Sequence, residues 1–212
     1  MNTNDVLRRL RYTFELDDST MIKLFGNAGH EVTRTEISDW LKRDDDPEIK
    51  QISDTEMAAF LNGFIVSKRG KKNGKTPEPE KKMNNNIMLT KLKIALNIQS
   101  DEILALLTLA GLPISKHELS AFFRKNSHKH YRTCKDQILR NFLKGVQMNY
   151  HDGIALPEMP EQTKTAQTTA NQTRASKNSA APKKHSQKNS PSNAPKKKPK
   201  TFQWGKLPSD DS

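Results

Sequence analysis

The chain of 212 residues has one cysteine, Cys134, so no disulfide can form within it. Nowhere does an apolar run approach the roughly 18 residues of a membrane span, and the start, MNTNDVLRRLRYTF, has no apolar stretch of secretory type. The expectation is a soluble, cytoplasmic protein with no membrane partner. Aromatic residues make up 6% and hydrophobic residues 33%, with a mean hydropathy of −0.85, so a sizeable part of the chain cannot bury a core. Acidic residues are in the minority: 24 Asp and Glu face 36 Lys and Arg, for a formal net charge of +12. That balance favours an anionic partner such as RNA, DNA or an acidic protein surface. P-loop, dinucleotide fingerprint, nucleophile elbow and paired metal carboxylates are all missing, which leaves no argument for an enzyme or a cofactor.

What is present is a duplication. Residues from 4 onward match residues from 86 onward without a gap. Leu7 and Leu10 fall on Leu89 and Leu92, Leu24 on Leu106, Ala28-Gly29 on Ala110-Gly111, Glu36 on Glu118, Asp54 on Asp136, and FLNG (Phe60 to Gly63) on FLKG (Phe142 to Gly145). Apolar positions between them agree in character, as Val32 with Ile114 and Trp40 with Phe122 do.

Each copy reads as four helices. In the first helix Leu7, Leu10 and Phe14 form one apolar stripe. The second starts at the cap signals DDS and QSD and stops near Gly29 or Gly111. The third carries a capping box in both copies, Thr33 with Glu36 and Ser115 with Glu118. The fourth spans about Asp54 to Lys68, and Lys135 to about Tyr150. Gly63 and Gly145 interrupt it at equivalent places, each costing about 1 kcal/mol relative to alanine. Their recurrence predicts a close helix contact. The expected fold is all-α: two tandem four-helix repeats, helix-turn-helix-like, over residues 1–66 and 83–153. A basic Gly/Pro/Asn-rich linker occupies 67–82. Residues 154–212 read as a disordered tail rich in Lys, Pro, Ser and Asn, with too little apolar area to offset an ordering entropy of roughly 1–2 kcal/mol per residue.

Charge is distributed unevenly along this plan. Residues 4–66 carry 8 basic and 13 acidic side chains, net −5; residues 67–82 carry 7 and 2, net +5. Residues 83–153 carry 10 and 5, net +5, and the tail carries 11 and 4, net +7. The two copies share a pattern but have opposite electrostatics, so an anionic polymer is drawn to the linker, the second copy and the tail.

The segment VTRTEISDWLKR and its mate ISKHELSAFFRK have the apolar spacing of a DNA-reading helix. Their turns depart from that motif, because two residues separate Gly29 from Val32 and Gly111 from Ile114. The outward residues of the first include Asp39, a poor groove contact. Both therefore read first as capped core helices, and the second copy, with Lys116, His117, Ser120, Arg124 and Lys125, suits phosphate better. Basic side chains that contact phosphate release counterions and give salt-dependent affinity without sequence readout. The candidates are Lys68, Arg69, Lys71, Lys72, Lys75, Lys81 and Lys82 in the linker, and Lys91, Lys93, Lys116, Arg124 and Lys125 in the second copy. In the tail they are Lys183, Lys184, Lys196, Lys197, Lys198 and Lys200, with Phe202 and Trp204 placed to stack unpaired bases. The alternative reading of FQWGKL is a docking peptide on a protein adaptor. His128, His130 and Cys134 resemble soft metal ligands, but no fourth ligand is evident and the first copy has Asp46, Glu48 and Ile52 there. No metal is expected, only a solvent-facing histidine pair beside a half-buried thiol.

The repeated Leu-x-x-Leu-[Arg/Lys] starts, the Trp40-Leu41 helix, FLNGFIVSKRG, NNNIMLTKLKIAL and FRKNSHKHYRTCKDQILRNFLKG resemble the YehS-like bacterial proteins, a tandem-repeat family of unknown function. The resemblance covers residues 1 to about 153, and the long basic tail departs from the compact two-repeat core associated with that family. It implies the architecture and supplies no activity. The functional expectation is a non-catalytic nucleic-acid-binding protein, RNA favoured over DNA, whose second copy, linker and tail hold phosphates.

Overall fold

A computed structural model of the chain describes residues 1–72 and 74–157. The predicted tail, with its lysines, Phe202 and Trp204, lies almost wholly outside the described residues.

Eight helices follow in order: α1 (Thr3–Thr13), α2 (Asp18–Asn27), α3 (Arg34–Leu41), α4 (Asp54–Arg69), α5 (Asn85–Leu96), α6 (Ser100–Leu109), α7 (Lys116–Phe122) and α8 (Asp136–Tyr150). The four starts of the first copy recur 82 residues later in the second. Local chemistry sets these starts. Asp17 accepts from the Thr20 N–H at 2.7 Å, and Thr33 and Ser53 form complete capping boxes with Glu36 and Glu56. The box expected at Ser115 is only half made: the Glu118 N–H donates to the Ser115 hydroxyl at 3.1 Å, without the return bond from the Glu118 side chain. Gly29 and Gly111 end α2 and α6 with φ of +73° and +86°, a left-handed conformation that a side chain would strain.

Packing within each copy depends on α2 against α4, and on α6 against α8. A Cβ on Gly63 would lie 1.6 Å from the Leu24 carbonyl oxygen, and one on Gly145 2.1 Å from that of Leu106. The recurring glycine therefore answers to backbone running directly across it, as its position in both copies predicts. Around this contact the first copy buries an aromatic cluster, with the Phe25 ring 5.5 Å from Trp40 and 5.4 Å from Phe60. Such pairs add about 0.5–1.5 kcal/mol each beyond their area burial. Trp40 and its counterpart Phe122 are core residues, so α3 and α7 each pack their aromatic position into their own copy.

The two copies pack on each other along two seams, α4 against α5 and α1 against α8. Exchanging the copies turns one seam into the other, the pattern of an isologous pair. At the α1–α8 seam the Phe14 and Tyr150 rings lie 5.6 Å apart and Tyr12 and His151 4.3 Å apart. At the α4–α5 seam the Arg69 guanidinium donates to the Ile94 carbonyl at 3.2 Å. Helix α4 runs through Arg69, so the first residues of the predicted linker are helical.

Candidate nucleic-acid interface

An identical buried asparagine organises each copy. Asn4 donates from Nδ2 to the carbonyls of Trp40 and Lys50 at 2.9 and 2.7 Å, and accepts from the Ile52 N–H at 3.1 Å. Asn86 repeats this with Phe122 and Arg132 at 2.9 and 2.8 Å, and with the Cys134 N–H at 2.9 Å. The amide group faces carbonyls and the carbonyl group faces an N–H, which fixes its orientation. Each clamp ties the first helix of a copy to both ends of the long loop between its third and fourth helices.

In the second copy that loop carries Arg124, Asn126 and Tyr131. They form one wall of a groove of about 1030 Å³ at the α4–α5 seam. The opposite wall is the end of α4 and the turn after it, with Ile65, Arg69, Gly70, Lys71 and Lys72, and the floor includes Ile87, Thr90 and Ile94 of α5. The turn is closed by an antiparallel bridge between Lys72 and Lys75. Phe122 and Phe123 complete the lining.

The equivalent place in the first copy is plugged. There the Arg8 guanidinium donates to the Lys42 carbonyl at 2.7 Å and pairs with Asp44 at 2.8 Å and with Asp5. A shallow depression of about 360 Å³ lies beside it. The second copy has Thr90 for Arg8, Ile87 for Asp5 and Asn126 for Asp44. Without that cation and those two anions the space is open and basic side chains predominate at its rim.

The structure sorts the predicted basic residues. Arg69, Lys71, Lys72 and Arg124 are brought together around the groove. Among the described residues Lys71, Lys72 and Arg124 have no side-chain partner. Lys75, Lys81, Lys82 and Lys125 are exposed and do not line it. Lys91 corrects the sequence reading. It is 7% exposed, with its ammonium 2.8 Å from a Glu80 carboxylate oxygen and bonded to the Asn62 side-chain oxygen, so it holds the linker to the seam and is spent as a phosphate ligand. Asn62 completes this staple by donating to the Pro77 and Glu78 carbonyls at 3.2 and 3.3 Å. Lys93 places its ammonium over the Phe123 ring, 4.8 Å from the centroid, and Lys116 pairs with Asp101 at 2.9 Å. The Lys68 ammonium lies over the Phe14 and Phe64 rings at 5.8 and 5.7 Å, where burial lowers its pKa.

Among the described residues no group of three His, Cys, Asp or Glu side chains is placed to hold a metal. His128 and His130 are exposed, as expected, but Cys134 is fully buried rather than half-buried. It occupies the core position of Ile52, and burial pushes its thiol pKa up to about 12. No helix among the described residues is long and apolar enough to cross a membrane. Sequence reasoning missed Asn86, Phe123, Asn126 and Tyr131. The differences at Arg8/Thr90, Asp5/Ile87 and Asp44/Asn126 were available in the aligned copies as a change of charge on an otherwise maintained pattern.

Comparison with known proteins agrees with the duplicated plan. The sequence pattern of the family described as "Protein of unknown function (DUF1456)" matches twice, over residues 3–70 and 85–151. The chain is 38% identical over 152 residues to "Uncharacterized protein YehS" of Escherichia coli strain K12, an overlap of 71% of this chain and 97% of that protein. No solved structure matches. With two copies of the pattern in one chain and a relative matched over nearly its whole length, the chain belongs to the family described as protein of unknown function DUF1456.

Proposed function

We propose that this protein is a non-catalytic nucleic-acid-binding protein, RNA favoured over DNA, and that the groove at the α4–α5 seam is its principal contact. The observation that carries this reading is the convergence of Arg69, Lys71, Lys72 and Arg124, from the end of α4 with its following turn and from a loop far away in sequence, on one groove with apolar lining. Phosphates accepted there release counterions, while Phe123 and Tyr131 supply ring surface beside them. The first copy, net −5 and plugged at the equivalent place, faces the polymer with nothing comparable.

The test is fluorescence anisotropy of a labelled mixed-sequence oligoribonucleotide with the full chain across a salt series. Affinity should fall linearly on a log–log plot, with a slope near −0.7 per phosphate neutralised on a single strand. Crosslinking and sequencing of nucleic acid recovered with the tagged protein, with and without residues 154–212, separates the groove's part from the tail's. Pull-down of a protein partner that survives nuclease and high salt, with no salt-dependent oligonucleotide binding, refutes the proposal in favour of an adaptor.

A further inference from the structure

The groove is concave, and its floor and walls differ in character. Ile65, Ile87 and Ile94 give it apolar surface between the basic side chains, the paired Glu80 and Lys91 also line it, and Phe123 and Tyr131 add ring surface. Its volume of about 1030 Å³ is at the upper end of the roughly 300–1,000 Å³ typical of sites that enclose a small organic group. A double helix presents to a protein a convex surface of phosphates and sugars, with its base faces stacked inside. Such a surface satisfies the rim and leaves the floor empty. An unpaired strand exposes planar, weakly polar base faces next to its phosphates, and so meets both.

We infer, on the basis of the nucleic-acid reading above, that the groove selects unpaired strands: a splayed base enters between the α4 turn and the α7–α8 loop, while flanking phosphates pair with Arg124 on one side and Lys71 and Lys72 on the other. The copies differ at this place by the presence of the plug in the first and its absence from the second. In the first copy the Arg8 guanidinium, its two carboxylates and the Lys42 carbonyl occupy the place that the base takes in the second. Thr90 turns its hydroxyl back onto the Asn86 carbonyl at 2.7 Å, Ile87 adds apolar surface, and Asn126 leaves an exposed amide able to bond a base edge. Lys93, over the Phe123 ring, leaves that ring at most one face for stacking. Tyr131, half-buried at the rim with no hydrogen-bond partner for its hydroxyl among the described residues, is therefore the better platform.

The experiment restores the plug in the full-length protein by the combined substitution Ile87→Asp, Thr90→Arg and Asn126→Asp. Anisotropy is measured with a fluorescein-labelled mixed-sequence oligoribonucleotide, free and annealed to its complement, in the same buffer. The wild type should prefer the free strand by about tenfold or more, the scale of one stacked base. The variant should lose that preference while keeping its affinity for the duplex within about threefold, because the exposed lysines that hold a duplex are untouched. Photocrosslinking the unmodified protein to the same strand carrying 4-thiouridine gives a second readout that does not depend on the variant folding, with adducts expected on the 122–131 segment. Equal affinity of the wild type for both forms, an undiminished preference in the folded variant, or adducts confined to segments other than 69–72 and 122–131 would overturn the inference and leave the nucleic-acid reading standing. Absence of salt-dependent binding to either form by the wild type would remove that reading itself.

Discussion

Replacing Asn86 by alanine leaves three backbone groups without their partner. The Phe122 carbonyl and the Cys134 N–H are bonded in buried surroundings, whereas the Arg132 carbonyl is partly buried and can turn to water. An unsatisfied buried group costs about 1–3 kcal/mol, so the two deeper ones set the loss at about 2–6 kcal/mol. Alanine's better helix propensity at this position in α5 returns only a few tenths of a kcal/mol. Against a total of roughly 5–15 kcal/mol for a native domain, Asn86→Ala should lose a large fraction of the stability. Equilibrium urea unfolding followed by circular dichroism measures it, as a lower midpoint at an unchanged slope. Asn86→Asp should do no better, because it retains an acceptor for Cys134 but sets carboxylate oxygen against two carbonyls. A loss below about 1 kcal/mol for Asn86→Ala would refute the argument, since the loop ends would then be held by something other than the clamp.

Gly63→Ala and Gly145→Ala should each destabilise by about 3 kcal/mol or more, through overpacking against the Leu24 and Leu106 carbonyls, with Gly63 the worse. Gly26, in α2 with open space around it, is the control: Gly26→Ala should raise stability by up to about 1 kcal/mol in the same unfolding assay. Cys134, buried and with its thiol held to about pKa 12, should react with a disulfide reagent at mildly alkaline pH only at the rate of unfolding, and promptly in denaturant. A fast native reaction would place the thiol at the surface. Arg124→Ala should lower the magnitude of the log–log salt slope of single-stranded RNA binding by about 0.7, whereas Lys91→Met, although destabilising through its orphaned Glu80 partner, should leave the slope of the folded protein unchanged.

The helices and their starts were legible because caps, stop signals and apolar periods are local, and the duplication offered each of them twice. Gly63 and Gly145 were legible for the same reason: a costly residue recurring at one place in a helix has few explanations other than close packing. Lys91 was misread because a lysine in a basic second copy is assigned to solvent by default. Its Glu80 and Asn62 partners come from a linker and a helix that reach it only once the chain has folded. The asparagine clamps were hidden because their partners are backbone groups, which have no sequence signature. The groove follows from both. It exists where one seam, one linker turn and one clamped loop meet, and no window of sequence contains all three.

The paired seams bear on how such a molecule acquires an asymmetric task. Were the two copies separate subunits of one homodimer, each substitution would act at both seams, and opening a groove at one would mean opening it at the other, with the Arg8 plug lost everywhere. Joining the copies in one chain removes that constraint. One seam keeps its plug and carries the architecture, while the other is free to specialise, so a change at Thr90 is felt once, at a site with a single orientation.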